Sequence, residues 1–176
     1  MSEDLDRVVQ ALSQRYFGKY RGEVTDTSDS TNRARLKVKC PAVLGEQEVW
    51  AMPAVPYAGD GIGFFALPAA GSSVWVEFEG GEINQPIWAG CFWKDGEIDS
   101  GDAKEGVMFL KTPGVTIRVD NDQGTVEIEA SGGAKITLDS NGITLEAPEV
   151  SLSANGAAAK LSASGFDAMS GALTVM

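Results

Sequence analysis

Apolar and polar residues alternate through the last third of the chain. In AKITLDSNGITLEAPEVSLSANG (134–156), Ile136 and Leu138, Ile143 and Leu145, and Val150 and Leu152 each stand two positions apart. Turn-forming clusters follow each pair, at Ser140-Asn141-Gly142, Ala147-Pro148-Glu149 and Ala154-Asn155-Gly156. Period-two alternation gives every short strand one apolar face. The signal recurs at Val115-Ile117-Val119, Val126-Ile128, near Leu161 and at Leu173-Val175, spaced by about seven to eleven residues. Strands this short cannot bury that face alone, and no helix with an apolar stripe follows to cover it. Regular short repeats point to a β-solenoid or β-prism, in which neighbouring units complete one another's core. One chain could coil on itself, or identical chains could wind about a shared axis. A single-chain coil needs longer rungs, so the shared axis fits better, and a threefold axis closes into a triangular prism. Val126, Ile128, Ile136, Leu138, Ile143, Leu145, Val150 and Leu152 are then expected inside, with Asp120, Glu127, Asp139 and Glu149 facing water.

The pattern differs before residue 94. Residues 2 to 15 predict a short amphipathic helix, with Ser2 as N-cap, Glu3 and Asp4 in its first turn, and Leu5, Val8, Val9 and Leu12 at i, i+3, i+4, i+7. Gly18 is expected to end it, and the stripe to pack on its own domain or a partner. Residues 19–93 predict an all-β domain. YRGEVTDT reads as a strand, SDSTNR as a turn, and RLKVKC alternates through Leu36, Val38 and Cys40. EVWAMPAVPYAGDGIGFFALPAAG holds too many prolines and glycines for a helix. SVWVEFEGG places Val74, Val76 and Phe78 on one side and Trp75 and Glu77 on the other, and QPIWAGCFW closes the set. About five strands in so few residues suit a small Greek-key barrel of the OB type. The expected organisation is a helix segment (1–18), an OB domain (19–93), a charged connector (94–113) and the repeat segment (114–176).

Charge and composition narrow the chemistry. The chain has 176 residues and a net charge of −11, which argues against nucleic acid and anionic membrane surfaces as partners. No window approaches 18 consecutive apolar residues, and MSEDLDRVVQ lacks a signal-peptide core, so synthesis in the cytoplasm without a signal peptide is expected. The absence of histidine removes Ser-His-Asp and Cys-His catalysis and histidine-based metal centres. Cys40 and Cys91 read as small buried hydrophobes, with a disulfide between them as the alternative, and cannot form a four-ligand zinc site alone. No cofactor is expected.

Three further features have a bland and a sharper reading. GDGIGF resembles part of a dinucleotide loop, but FALPAAG follows where a helix should begin, so it reads as a barrel loop. Trp50, Trp75, Trp88 and Trp93 could stack sugars or bases, yet packing is the default on an acidic chain. The pairs Glu77/Glu79 and Glu127/Glu129 have the spacing of paired carboxylates, but in a chain with 25 acidic residues they read as solvated faces. Aspartate rings about a threefold axis are a conceivable cation site with no residue to assign.

Taken in order, GEVTDTSDSTNRARLKVKCP and VWAMPAVPYAGDGIGFFALPAAGSSVWVEFEGGEINQPIWAGCFW resemble the OB domain of baseplate spike proteins of contractile injection machines. That family includes phage baseplate assembly protein V and the OB part of the valine-glycine repeat proteins of type VI secretion. The matching elements run from a G-x-V strand, through an R-x-R/K-V strand ending in Pro41 and a Trp50-Ala51 step, to G-x-G-x-F and Pro68. A Gly71 turn into V-x-V-x-F-E and a Pro86-x-x-x-Gly90 strand complete the series, and the tail resembles the family's trimeric β-helix needle.

The resemblance implies a non-enzymatic homotrimer on a baseplate hub protein, located in the baseplate of a phage tail or tail-like particle. Its needle is driven into the target cell envelope when a sheath contracts. A lysozyme domain between barrel and needle, present in some relatives, does not fit into the short connector. A histidine-bound iron tip is likewise ruled out, and Leu173, Val175 and Met176 instead suggest a docking platform for a separate PAAR-type tip protein. Two other readings are an OB-type carbohydrate- or ligand-binding module with an oligomerising β tail, and a cell-wall hydrolase; the missing domain and missing histidine count against the latter.

Overall fold

A computed structural model of the chain describes residues 2–168 and 173–175. The fold is all-β, in two compact units, Met1–Glu97 and Ile98–Met176.

The first unit opens with helix α1 (Ser2–Ser13). Its stripe of Leu5, Val8, Val9 and Leu12 is more than half exposed, so it does not pack on its own barrel. The helix stops at Ser13 rather than at Gly18, whose φ of +95° belongs to the linker that follows. Strands β1 (Tyr20–Asp26) and β2 (Leu36–Lys39) come next, then a single helical turn α2 (Pro41–Leu44) and β3 (Glu48–Pro53). A two-residue-per-strand hairpin, β4 (Ala58–Gly59) with β5 (Ile62–Gly63), precedes β6 (Ser73–Phe78) and β7 (Pro86–Cys91). Strands β1-β2-β3-β7-β6 close into a barrel, sealed by the parallel pairing of β3 with β7. This is the expected OB-type domain, and GDGIGF is a barrel loop as read.

Alternation explains the barrel's interior. Leu36, Val38 and Cys40 are fully buried, while Lys37 and Lys39 between them point outward to Glu48 at 3.4 and 3.7 Å. Val74, Val76 and Phe78 line the other wall, with Val24, Ala51 and Trp88 between. Gly22 is where β1 crosses this core most tightly, since a Cβ there would stand 2.7 Å from Val76 Cγ2 and 2.8 Å from the Lys39 carbonyl oxygen.

The polar turn between β1 and β2 is organised by one carboxylate. Asp29 accepts hydrogen bonds from the amides of Thr31 (3.0 Å), Arg33 (2.9 Å) and Arg35 (3.2 Å) and from the Thr31 hydroxyl (2.7 Å). The Arg35 guanidinium donates to it through both Nε and Nη2, at 3.0 and 2.8 Å. That guanidinium, with the Thr31 donors, holds the Asp29 carboxyl far below the usual carboxylate range.

The cysteines divide. Cys40 is buried as expected, but Cys91, at the end of β7, is exposed, and the two are unbonded. The tryptophans divide too. Trp88 is a core residue whose Nε1 donates to the Ala34 carbonyl (3.1 Å). Trp75 packs on Phe92, with the Arg21 guanidinium over both rings, Trp50 lies under Arg35, and Trp93 is exposed.

The second unit holds two antiparallel meanders. The first comprises β8 (Val107–Lys111), β9 (Val115–Asp120), β10 (Thr125–Ala130), β11 (Lys135–Asp139) and β12 (Gly142–Glu146). The second comprises β13 (Glu149–Ala154), β14 (Ala157–Ser162), β15 (Gly165–Ala168) and β16 (Leu173–Val175). The strands pair side by side and do not coil into a single-chain solenoid. Strand β8 lies within the stretch read as a connector, because the charges flanking VMFLK mask its alternation. Asp120, expected to face water, is 2% exposed: it caps the β9–β10 turn, accepting the amides of Asp122 (3.2 Å) and Gln123 (3.1 Å).

Candidate trimer interface

Register decides which face each side chain occupies, because residues directly opposite on adjacent strands point the same way. Two apolar rows cross the whole first meander. One runs Met108–Val119–Val126–Leu138–Ile143, the other Leu110–Ile117–Ile128–Ile136–Leu145. Across β9–β12 the intervening positions, such as Arg118, Glu127, Thr137 and Thr144, make the opposite face polar, while β8 adds Val107 and Phe109 to it. In the second meander the rows are Val150–Leu161–Phe166–Val175 and Leu152–Ala159–Ala168–Leu173.

The eight residues expected inside a shared core therefore all fall on these rows. Within one chain the rows are largely uncovered: Ile143 is 71% and Leu152 67% exposed, and of the eight only Val126 and Val150 are half-buried. Met108, Leu110, Ile117 and Val119 share these rows with the eight, and of the four only Ile117 and Val119 stand in an alternation that the sequence shows. Leu173 and Val175 occupy the ends of the second meander's rows on β16, and Met176 lies outside the described residues.

The polar face is held by ion pairs rather than bare carboxylates. Lys135 bridges to Glu127, and the neighbouring Glu129 and Glu146 add to that attraction, raising the lysine's pKa. Lys160 bridges to Glu149 and lowers its pKa in turn. In the barrel, Glu77 pairs with Lys19, and Glu79 lies beyond β6 in a one-turn 3-10 helix. Neither glutamate pair is therefore set out as two free carboxylates facing a cleft.

Ahead of β8, the segment from Ile98 to Gly106 is clasped to the sheet. Arg118 pairs with both Asp102 and Asp120 (3.4 Å to the latter), Lys111 reaches Asp102 (3.5 Å), and Lys104 reaches Asp120 (3.7 Å). The Asp120 pKa is lowered, chiefly by the Gln123 amide, with Lys104 and Arg118 adding to the effect against the opposing influence of burial.

An OB-type barrel joined in sequence to sheets with one uncovered apolar face is the plan of a barrel protein that oligomerises through its β tail. Residues 20–93 match the type VI secretion system/phage-baseplate injector OB domain, and residues 107–174 match the phage baseplate V C-terminal trimerisation domain. The chain belongs to this family of baseplate spike proteins. Among curated proteins, none matches it. Both matched domains are structural baseplate parts, and the second supports a homotrimer. Its match begins at the first residue of β8, where the apolar rows also begin. No helix among the described residues is long and apolar enough to cross a membrane.

Proposed function

We propose that the chain is the central spike of a contractile tail or injection machine. Three copies wind their C-terminal sheets about one axis with the apolar rows inward, forming a β-prism needle that pierces the target envelope when the sheath contracts. The observation that carries this reading is the pair of rows crossing five consecutive strands, whose exposed side chains have no cover among the described residues. Burying a large aliphatic side chain contributes about 1.5–3 kcal/mol, so rows of this length contributed by three chains give a needle that resists unfolding under load. The polar faces, laced with Lys135–Glu127 and Lys160–Glu149 pairs, would remain in water.

The finer parts of the reading are a hub protein holding the barrels and a PAAR-type tip protein seated at the β16 end, on Leu173, Val175 and Met176. The particle is read as a phage tail or phage-tail-like baseplate. The deciding experiment is the native mass of the full chain by light scattering, followed by electrophoresis without boiling. A detergent-resistant trimer supports the spike. A monomer sinks it and moves the carbohydrate- or ligand-binding module forward.

A further inference from the structure

The barrel carries a second uncovered apolar surface, separate from the rows of the second unit. Residues 49–76 contain one charged side chain, Asp60, in a chain where 22% of residues are charged. Within that stretch Met52, Tyr57, Ile62, Phe64 and Phe65 are 39–74% exposed. They line an open cleft of about 560 Å³ whose wall includes Trp88 and Arg33. Five large apolar groups clustered on one surface mark an interaction site rather than ordinary exposure.

We propose that this face joins barrel to barrel: around the threefold axis the three copies pack through Met52, Tyr57, Ile62, Phe64 and Phe65, with Arg33 of each copy paired to Asp60 of the next. The inference rests on the homotrimer and adds a contact that the tail does not supply. Charge selects the occupant. Each copy carries −11, so like-charged copies can approach closely only where charge is missing, and this is the barrel's charge-poor surface. Two charges stand beside the cleft, Arg33 in its wall and Asp60 in the β4–β5 turn, and they have opposite signs. Among the described residues neither forms an ion pair, and the Arg33 side chain bonds only locally, through Nε to Thr31 Oγ1 at 3.1 Å. An apolar centre with a rim cation and a rim anion is self-complementary in a cyclic ring, where one copy's rim meets a different part of the next. The trimerising tail raises the local concentration of barrels to the millimolar range, so even a weak contact forms.

The test uses the full-length chain, with its mass recorded throughout. In a Cys91→Ser background, Phe65→Cys is expected to give a covalent dimer on mild oxidation at least about tenfold faster than Glu46→Cys, an exposed control position away from the cleft. Arg33→Glu should slow that cross-link, and adding Asp60→Arg should restore it. In the unaltered trimer, Tyr57 should iodinate about tenfold more slowly than in the denatured chain. A trimer by mass in which Phe65→Cys cross-links no faster than the control, or in which Tyr57 reacts freely until another protein is added, overturns the barrel contact while leaving the spike reading intact. A monomer by mass overturns both.

Discussion

Ile128 on β10 sits directly opposite Ile136 on β11, and both side chains remain 37% exposed. The same register carries the contact outward to Ile117 on one side and to Leu145 on the other. Four β-branched or aliphatic side chains thus stand abreast on a surface that one chain leaves wet. Cross-strand pairs of this kind hold a sheet together only weakly when water reaches them; covered, each adds its full burial.

The first prediction follows from that row. Ile128→Asp places three carboxylates at the proposed core of a threefold assembly, each without a partner. An unpaired charge in such a place costs several kcal/mol, so the monomer–trimer midpoint should move by more than about 100-fold in concentration. Glu129→Gln, one residue away on the polar face, should leave the midpoint unchanged. Light scattering over a dilution series distinguishes the two, and equal behaviour of the variants would remove the apolar rows from the interface.

The barrel makes a separate prediction. Leu36 is completely buried among Val24, Val38 and Val76, so Leu36→Ala leaves a cavity that a closed sheet cannot collapse. The expected cost is about 2–5 kcal/mol, read as a lower denaturant midpoint in tryptophan fluorescence. The native mass should not change, because Leu36 lies in the barrel core and outside the apolar rows of the second unit.

Much of this was legible from residue order alone. The alternation of Leu36, Val38 and Cys40 and of Val74, Val76 and Phe78 placed the barrel walls correctly because each strand has one wet face. The eight expected inward residues share the apolar face of their sheets for the same reason. Hidden parts were those where long-range partners override local pattern. Asp120 looks solvated until the Lys104 and Arg118 side chains and the turn amides close over it. Strand β8 is masked by charged neighbours, and Cys91 reads as buried by residue type although it ends its strand at the surface. The cleft at Phe64 and Phe65 was invisible, since a run of apolar and glycine residues predicts a loop but not which side of it stays bare.

Gly22 supplies a third prediction, from space rather than conformation. A methyl group there meets Val76 Cγ2 and a backbone oxygen, neither of which is the loose end of a long side chain. Gly22→Ala should destabilise the barrel by about 1–3 kcal/mol through overpacking. Gly18→Ala, with open space around its Cβ position but a φ of +95°, should act only through backbone strain. Thermal unfolding of the two variants side by side tests the distinction: a neutral Gly22→Ala would mean that β1 can shift away from β6.

Acid provides the fourth. Asp29 has an ordinary value of 3.8 in the unfolded chain and one far lower in the folded barrel. A depressed folded value means that its stabilisation is fully present above pH 3.8 and is lost only as pH falls below that, toward the folded value. Asp29→Asn should therefore lower the urea midpoint by a constant amount from about pH 7 down to about pH 4, and the gap should close under stronger acid. A gap that already narrows near neutrality would show that the Arg35 pairing does not set the loop's stability.

The last prediction concerns the clasp on Arg118. This guanidinium joins Asp102, in the segment before β8, to Asp120 at the end of β9, so a single side chain ties an irregular stretch to the sheet. With Arg118→Gln, Asp102 keeps Lys111 at 3.5 Å and Asp120 keeps Lys104 at 3.7 Å, both longer and more exposed contacts. Asp120 should remain in place, since the Asp122 and Gln123 amides still bind it, while Asp102 loses its shorter partner. Amide hydrogen exchange across 98–106 is then expected to speed up by about tenfold or more, with the amides of β10 and β11 unaffected. Raised salt should produce a smaller change in the same direction in the unaltered protein, because the outer lysine contacts are screened first. If exchange in 98–106 is insensitive to both, backbone hydrogen bonds such as Asn121 N–H to the Gly106 carbonyl (2.9 Å) hold the segment, and the charges merely decorate it.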